Sequence, residues 1–171
     1  MRLALAALFT VAANSVFAGG WFTHPFGELR AYYGDWLAVC SDNGNGLCRA
    51  VTFGEGTFTN PRAYQRISVS QTIGGDFGLE LGDRRLVTNQ VAGLQLAIGS
   101  KTVDVPFEQA DAVALDTFEF TDATLVQNLV DQMKAARFAT LRVTEPSGFQ
   151  FEATYSLRGL RAALNAIEER T

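Results

Sequence analysis

Short runs of alternating apolar and polar side chains, each closed by a turn signal, recur along most of this chain. Alternation of period two sends successive side chains to opposite faces, so such runs fold as half-buried strands rather than helices. Ile67, Val69 and Gln71 fall on one side, and Ser68 and Ser70 on the other. Strands are expected likewise over residues 36–40, 48–53, 77–81, 94–98 and 102–105, with a weaker pattern from Ala112 to Phe120. The clearest hairpin sets Ala139, Leu141 and Val143 against Phe149, Phe151, Ala153 and Tyr155 across the turn Pro146-Ser147-Gly148. Many short strands with Gly-rich turns point to a mainly β (α+β) domain, an antiparallel sandwich or barrel-like fold.

Two segments near the C-terminus break the alternation. Leu125, Val126, Leu129, Val130 and Met133 recur at helical spacing between Asp122 and Arg137, with Thr121 or Asp122 as the cap. Leu157, Leu160, Leu164 and Ile167 share a face of a second helix, which Ser156 is placed to cap and which should lie on the sheet.

The N-terminus sets the compartment. Arg2 precedes an apolar run from Leu3 to Ala13, and Val16-Phe17-Ala18 supplies small residues where a signal peptidase cuts, so residues 1–18 read as a signal peptide cleaved between Ala18 and Gly19. The run is shorter than the roughly 20 apolar residues a spanning helix needs, so no transmembrane segment is expected after cleavage. Residues 19–31, from Trp21 to Arg30 an aperiodic mix of aromatics with His24, Pro25 and Gly27, read as a lead-in segment, and residues 32–171 as one β-rich domain. The formal net charge of −4, one unit more negative without Arg2, and the scattered arginines argue against a nucleic-acid partner.

Cys40 and Cys48 are the two cysteines of the chain. In an exported protein they are expected to form a disulfide that closes the hairpin of residues 36–53. Zinc is disfavoured because two cysteines and the lone His24 fall short of four ligands. The Asn-Gly-rich loop at residues 41–47 does not suit calcium, since Asp42 as first ligand would put Gly44 and Gly46 where oxygen ligands belong. No Gly-x-Ser-x-Gly elbow, phosphate-binding Gly-rich loop or supported Ser-His pairing occurs, so no catalytic, cofactor or metal residue is assigned. A carboxylate pair for glycoside chemistry could be drawn from Glu80, Asp83, Asp104, Glu108, Asp111, Asp116 and Glu119, although their spacing singles out none. Trp36, beside the cysteines, is read as a core residue rather than a ligand contact.

Residues 33–40, Tyr-Gly-Asp-Trp-Leu-Ala-Val-Cys, followed by Cys48-Arg49-Ala50, resemble the opening of the invasion-associated locus B family of exported proteobacterial proteins. Residues 94–107 are similar to that family's central hairpin, and residues 129–134 and 156–164 to its last helix and its Ser-Leu-x-Gly-x-x-x-Ala segment. A related uncharacterised periplasmic family shares the Trp and paired-cysteine opening. Many members carry a second close cysteine pair, which residues 107–115 lack, so the resemblance is to a divergent member. It implies a periplasmic or surface-associated β-rich domain without catalytic activity, in which Trp36, Ser156 and Gly159 are structural motif residues. Some relatives are linked to invasion of host red cells, a role that resemblance alone does not transfer. The expected function is therefore an exported, non-enzymatic binding or envelope protein with an envelope or surface protein partner. The alternatives are an envelope-glycan hydrolase with a carboxylate pair and a structural subunit of an envelope complex.

Overall fold

The structure, a computed structural model, describes residues 20–55, 65–72, 74–83, 86, 91–106, 108, 110–114 and 116–170. The signal peptide and its cleavage point at Ala18 and Gly19 lie outside the described residues. In chain order the strands are β1 (Phe22–His24), β2 (Glu28–Tyr33), β3 (Trp36–Cys40), β4 (Cys48–Phe53), β5 (Gln65–Gln71), β6 (Phe77–Asp83), β7 (Gly93–Ile98), β8 (Lys101–Asp104), β9 (Asp111–Ala114) and β10 (Thr117–Phe120). Helix α1 (Ala123–Ala135), strands β11 (Phe138–Thr144) and β12 (Gln150–Ser156) and helix α2 (Leu160–Glu168) complete the fold.

The strands form two antiparallel sheets. The larger has eight strands in the order β1-β2-β3-β4-β5-β6-β10-β9, and the smaller four in the order β12-β11-β7-β8. Neither closes on itself, so the open, sandwich-like alternative holds and the barrel does not.

Register explains which face is buried. Ala31, Ala38, Ala50, Val69, Leu79 and Phe120 stand directly across one another on six strands of the large sheet, and all are buried. The alanines belong to β2, β3 and β4, the strands that α2 contacts, and their small side chains leave room for the helix. The larger Val69, Leu79 and Phe120 follow where α1 packs on β6 instead. On the reverse face the row reads Tyr32, Leu37, Val51, Ser68, Glu80, Glu119 and Asp111. In the small sheet Leu96, Leu141 and Ala153 point into the core, whereas Asp104, Gln95, Arg142 and Glu152 form a polar row across the outer face. That row is bonded throughout: Gln95 Nε2 donates to Asp104 at 2.8 Å, and Arg142 Nε donates to Glu152 at 2.7 Å and its Nη1 to Gln95 at 3.5 Å.

Helix α1 begins where the cap residue predicts, since Asp122 accepts the Leu125 N–H at 2.8 Å and Val126, Leu129, Val130 and Met133 are buried. Three expectations need revision. Residues 22–33 are a two-stranded extension of the large sheet rather than a lead-in; Phe22 pairs with Arg30, and the Arg170 guanidinium lies 4.8 Å from the Trp21 ring centre. No alternation marked the segment because β1 is short and at an edge, with both sides open to solvent. The weak pattern at 112–120 is two strands, β9 and β10, paired antiparallel with a register shift between Thr117 and Phe118. Ser156 does not cap α2: the cap is Gly159, at φ 100°, and Leu157 is buried ahead of the helix.

Candidate functional site

The most elaborate polar constellation joins two turns far apart in sequence. The turn between β2 and β3 has Gly34 at φ 60° in its first central position, which a two-residue hairpin of the II′ kind requires. The connection from β12 to α2 presents Gly159 directly opposite. A Cβ on Gly159 would lie 1.8 Å from the Tyr33 carbonyl oxygen, and one on Gly34 would lie 2.6 Å from that of Arg158. Glycine at both positions lets two backbones touch. The Asp35 N–H then donates to the Arg158 carbonyl at 2.9 Å.

Side chains close the contact. Arg158 donates from Nη2 to Asp35 Oδ1 at 2.7 Å and from Nε to Oδ2 at 3.1 Å, a bidentate pair. The Ser156 hydroxyl donates to Asp35 Oδ2 at 2.6 Å and accepts the Arg158 N–H at 3.3 Å. Trp36, fully buried, donates its indole N–H to the Ser156 carbonyl at 2.9 Å, and the Thr52 hydroxyl donates to the Asp35 carbonyl at 2.8 Å. The Arg158 guanidinium first, and the Ser156 hydroxyl second, hold the Asp35 carboxyl below the usual aspartate range. Trp36, Ser156 and Gly159, the motif residues of the sequence, thus meet in one place.

Beside this contact lies a cleft of about 520 Å³. Asp35, Ser156 and Arg158 form one wall, and Ala136, Arg137, Phe138 and Glu55 the remainder. Phe138 is 51 % exposed although it begins a central strand of the small sheet. Its alternation with Ala139 and Leu141 places it on the outer face, opposite Ser156. Arg137 and Glu55 are exposed, and neither side chain has an ion pair among the described residues. Glu55 is anchored through its backbone, donating its N–H to the Thr154 carbonyl at 2.7 Å, which ties the end of β4 to the edge strand β12.

The Ser156 proton is directed at a carboxylate made a weak base by its arginine, so the pair is not set up as nucleophile and base. His24 lies on β1, where its Nδ1 accepts the Phe26 N–H at 3.4 Å, and it is no part of the cleft. A second cleft of about 360 Å³ is lined by Asp104, Glu108, Gln95, Thr144 and Gln150. Among the carboxylates named from sequence, Glu80, Glu119 and Asp111 stand side by side on β6, β10 and β9. Burial, then the neighbouring Glu80 and Asp111 charges, raise the Glu119 carboxyl, while Glu80 pairs with Arg66 at 2.5 Å. Neither cleft is lined by this row. Among the described residues no group of three His, Cys, Asp or Glu side chains is placed to hold a metal ion, and no helix is long and apolar enough to cross a membrane.

Cys40 and Cys48 are joined in a disulfide at directly paired positions of β3 and β4, and both are buried. Sequence reasoning missed Asp35, Arg158, Arg137, Phe138 and Glu55 as a group. One signal was present: Gly34-Asp35 and Arg158-Gly159 each set a turn glycine beside a charge, and the charges are opposite.

No family model matches the sequence, and no curated protein does. Among solved structures, invasion associated protein B from Bartonella henselae superimposes with a TM-score of 0.57 at 16 % identity, covering 81 % of this chain and 94 % of that one. The resemblance read from the cysteine and Trp motifs therefore extends to three dimensions: this chain has the fold of invasion associated protein B.

Proposed function

We propose that this chain is an exported, non-enzymatic binding protein of the bacterial envelope, periplasmic or surface-associated, acting through the cleft beside Phe138. The observation that carries the reading is a separation of roles. The carboxyl that lines the larger cleft with a shifted pKa, Asp35, is lowered and engaged by Arg158, whereas the raised one, Glu119, lies on the reverse face of the large sheet. Glycoside hydrolysis needs a raised carboxyl inside the cleft as general acid. Exposed Phe138 and the unpaired Arg137 and Glu55 instead offer the mixed apolar and charged contacts of a binding site. Export is supported by the leader sequence together with the disulfide, which an oxidising compartment maintains. The fold shared with invasion associated protein B is in keeping with this assignment.

A photo-crosslinking side chain at position 138, introduced into the full chain in intact cells, tests the proposal. A discrete envelope adduct that Arg137→Gln weakens and that is missing from a crosslinker at exposed Phe149 is expected. Release of reducing sugar from purified envelope glycan, abolished by Asp35→Asn or Glu119→Gln, would replace the reading with hydrolysis.

A further inference from the structure

The large cleft carries more information than its location. Its polar groups differ in what they can offer a ligand. Glu55 and Arg137 are exposed and without an ion pair among the described residues, so they can take a donor and an anion, while Asp35, Arg158 and Ser156 are bonded to one another and present only their remaining acceptor and donor positions. Phe138 presents an exposed ring beside them, at the end of an outer face on which β11 and β12 otherwise carry hydroxyl, amide and charged side chains such as Thr140, Thr154, Arg142 and Glu152. A ligand matched to these groups carries several hydroxyl donors, a face of C–H groups to lie on the ring, and one negative charge. The internally bonded polar row of Asp104, Gln95, Arg142 and Glu152 continues this face across the sheet.

We infer that the cleft binds a carboxylate-bearing sugar unit of an envelope polysaccharide. Arg137 takes the sugar carboxylate, Phe138 stacks against the ring, and Glu55 and Asp35 accept hydroxyl hydrogen bonds. The volume of about 520 Å³ falls within the range of small-ligand sites and accommodates one or two sugar residues. A zwitterionic peptide end is the competing ligand, since Glu55 and Arg137 could take its ammonium and carboxylate. The sugar is favoured because Phe138 and Ser156 are followed on the same face by Thr140 and Thr154 and then by Arg142 and Glu152, polar side chains rather than an apolar groove for peptide side chains. Ionised Asp35 suits this role, because a carboxylate fixed by a bidentate arginine accepts hydroxyl donors without reorganising.

This inference rests on the binding function proposed above, and its test separates the two. Backbone amide NMR shifts of the mature chain are followed during titration with a disaccharide of glucuronic acid and glucose, with cellobiose as neutral counterpart and alanyl-alanine as zwitterionic peptide. The acidic disaccharide should shift Arg137, Phe138 and Ser156 and bind at least tenfold more tightly than cellobiose. Arg137→Gln should erase that preference without changing the melting temperature, and Phe138→Ala should weaken both sugars. Binding of alanyl-alanine alone, sugar shifts confined to other surfaces, or no shifts with any probe would overturn the sugar assignment. If a discrete crosslink at position 138 persists in cells after such a result, the binding function stands and only its ligand class falls.

Discussion

Both edges of the large sheet are short, exposed strands, β1 and β9, but the strands behind them are supported in different ways. At the β2-β3-β4 end, α2 lies across the strands, a disulfide joins β3 to β4, and the turn at Gly34 is pressed against Gly159 and held by the Asp35–Arg158 pair. At the other end β9 has all four residues exposed, carries a register shift against β10, and brings Asp111 beside Glu119 and Glu80. A short, irregular, charged strand resists pairing with another molecule. At the first end the Trp36–Ser156 and Asp35–Ser156 contacts join residues more than a hundred positions apart, whereas at the second β9 is held by pairing with β10, its neighbour in sequence. The candidate binding cleft sits beside the first end, with the Asp35–Arg158 pair in its wall.

Substitutions can weaken one end without the other. Gly159→Ala should have the largest effect, roughly 2–4 kcal/mol, because it combines a left-handed conformation with a clash against backbone that cannot swing aside. Denaturant unfolding measures it, and a loss below about 0.5 kcal/mol would show that the two turns are not in contact. Cys40→Ser, compared under oxidising conditions, should lower stability by roughly 2–3 kcal/mol through the short closed loop while leaving the domain folded. An unchanged melting temperature with and without reductant would remove the disulfide from this account.

The charged groups sharpen the contrast, since their effects run in opposite directions with pH. Asp35 has a lowered pKa in the folded chain, so its contribution is complete above the unfolded carboxyl's pKa and is lost as pH falls through the folded one. Asp35→Asn should accordingly be less stable than the parent at neutral pH, by less than the loss of the disulfide because the pair is solvent-screened, and the gap should close in acid. Glu119 has a raised pKa, so ionisation opposes folding and the penalty is relieved as pH falls through its folded value. Glu119→Gln is expected to stabilise the neutral-pH protein by about 0.5 kcal/mol, the scale of directly opposed like charges, with the gain fading on acidification. A loss of stability in Glu119→Gln would mean that the row is compensated. Melting temperatures across the acid range read both variants.

Legibility in the sequence followed the range of the interactions. Helix α1 was readable because its cap and buried stripe are local, and β11 and β12 because alternation and turn are adjacent. The β1-β2 extension was not, since a short edge strand with Phe22 and Thr23 exposed has no buried face to impose a period. Ser156 looked like a cap by position, yet its hydroxyl is taken by a carboxylate 121 residues away. Of the cleft, Asp35, Ser156 and Arg158 lay inside motifs visible in the sequence, while Arg137, Phe138 and Glu55 carried no local mark of function.

The sequence by itself determined the strand-rich class, both helices, the pairing of Cys40 with Cys48, and the candidate export signal. These depend on periodicity, capping and composition, which act over a few residues. Only the tertiary structure decided that the sheets stay open, that Gly34 and Gly159 meet, and that two turns enclose a cleft with Phe138 at its side. Those outcomes depend on register and on how α2 settles over three alanines, and packing of this kind brings together residues whose separation along the chain leaves no local pattern to read.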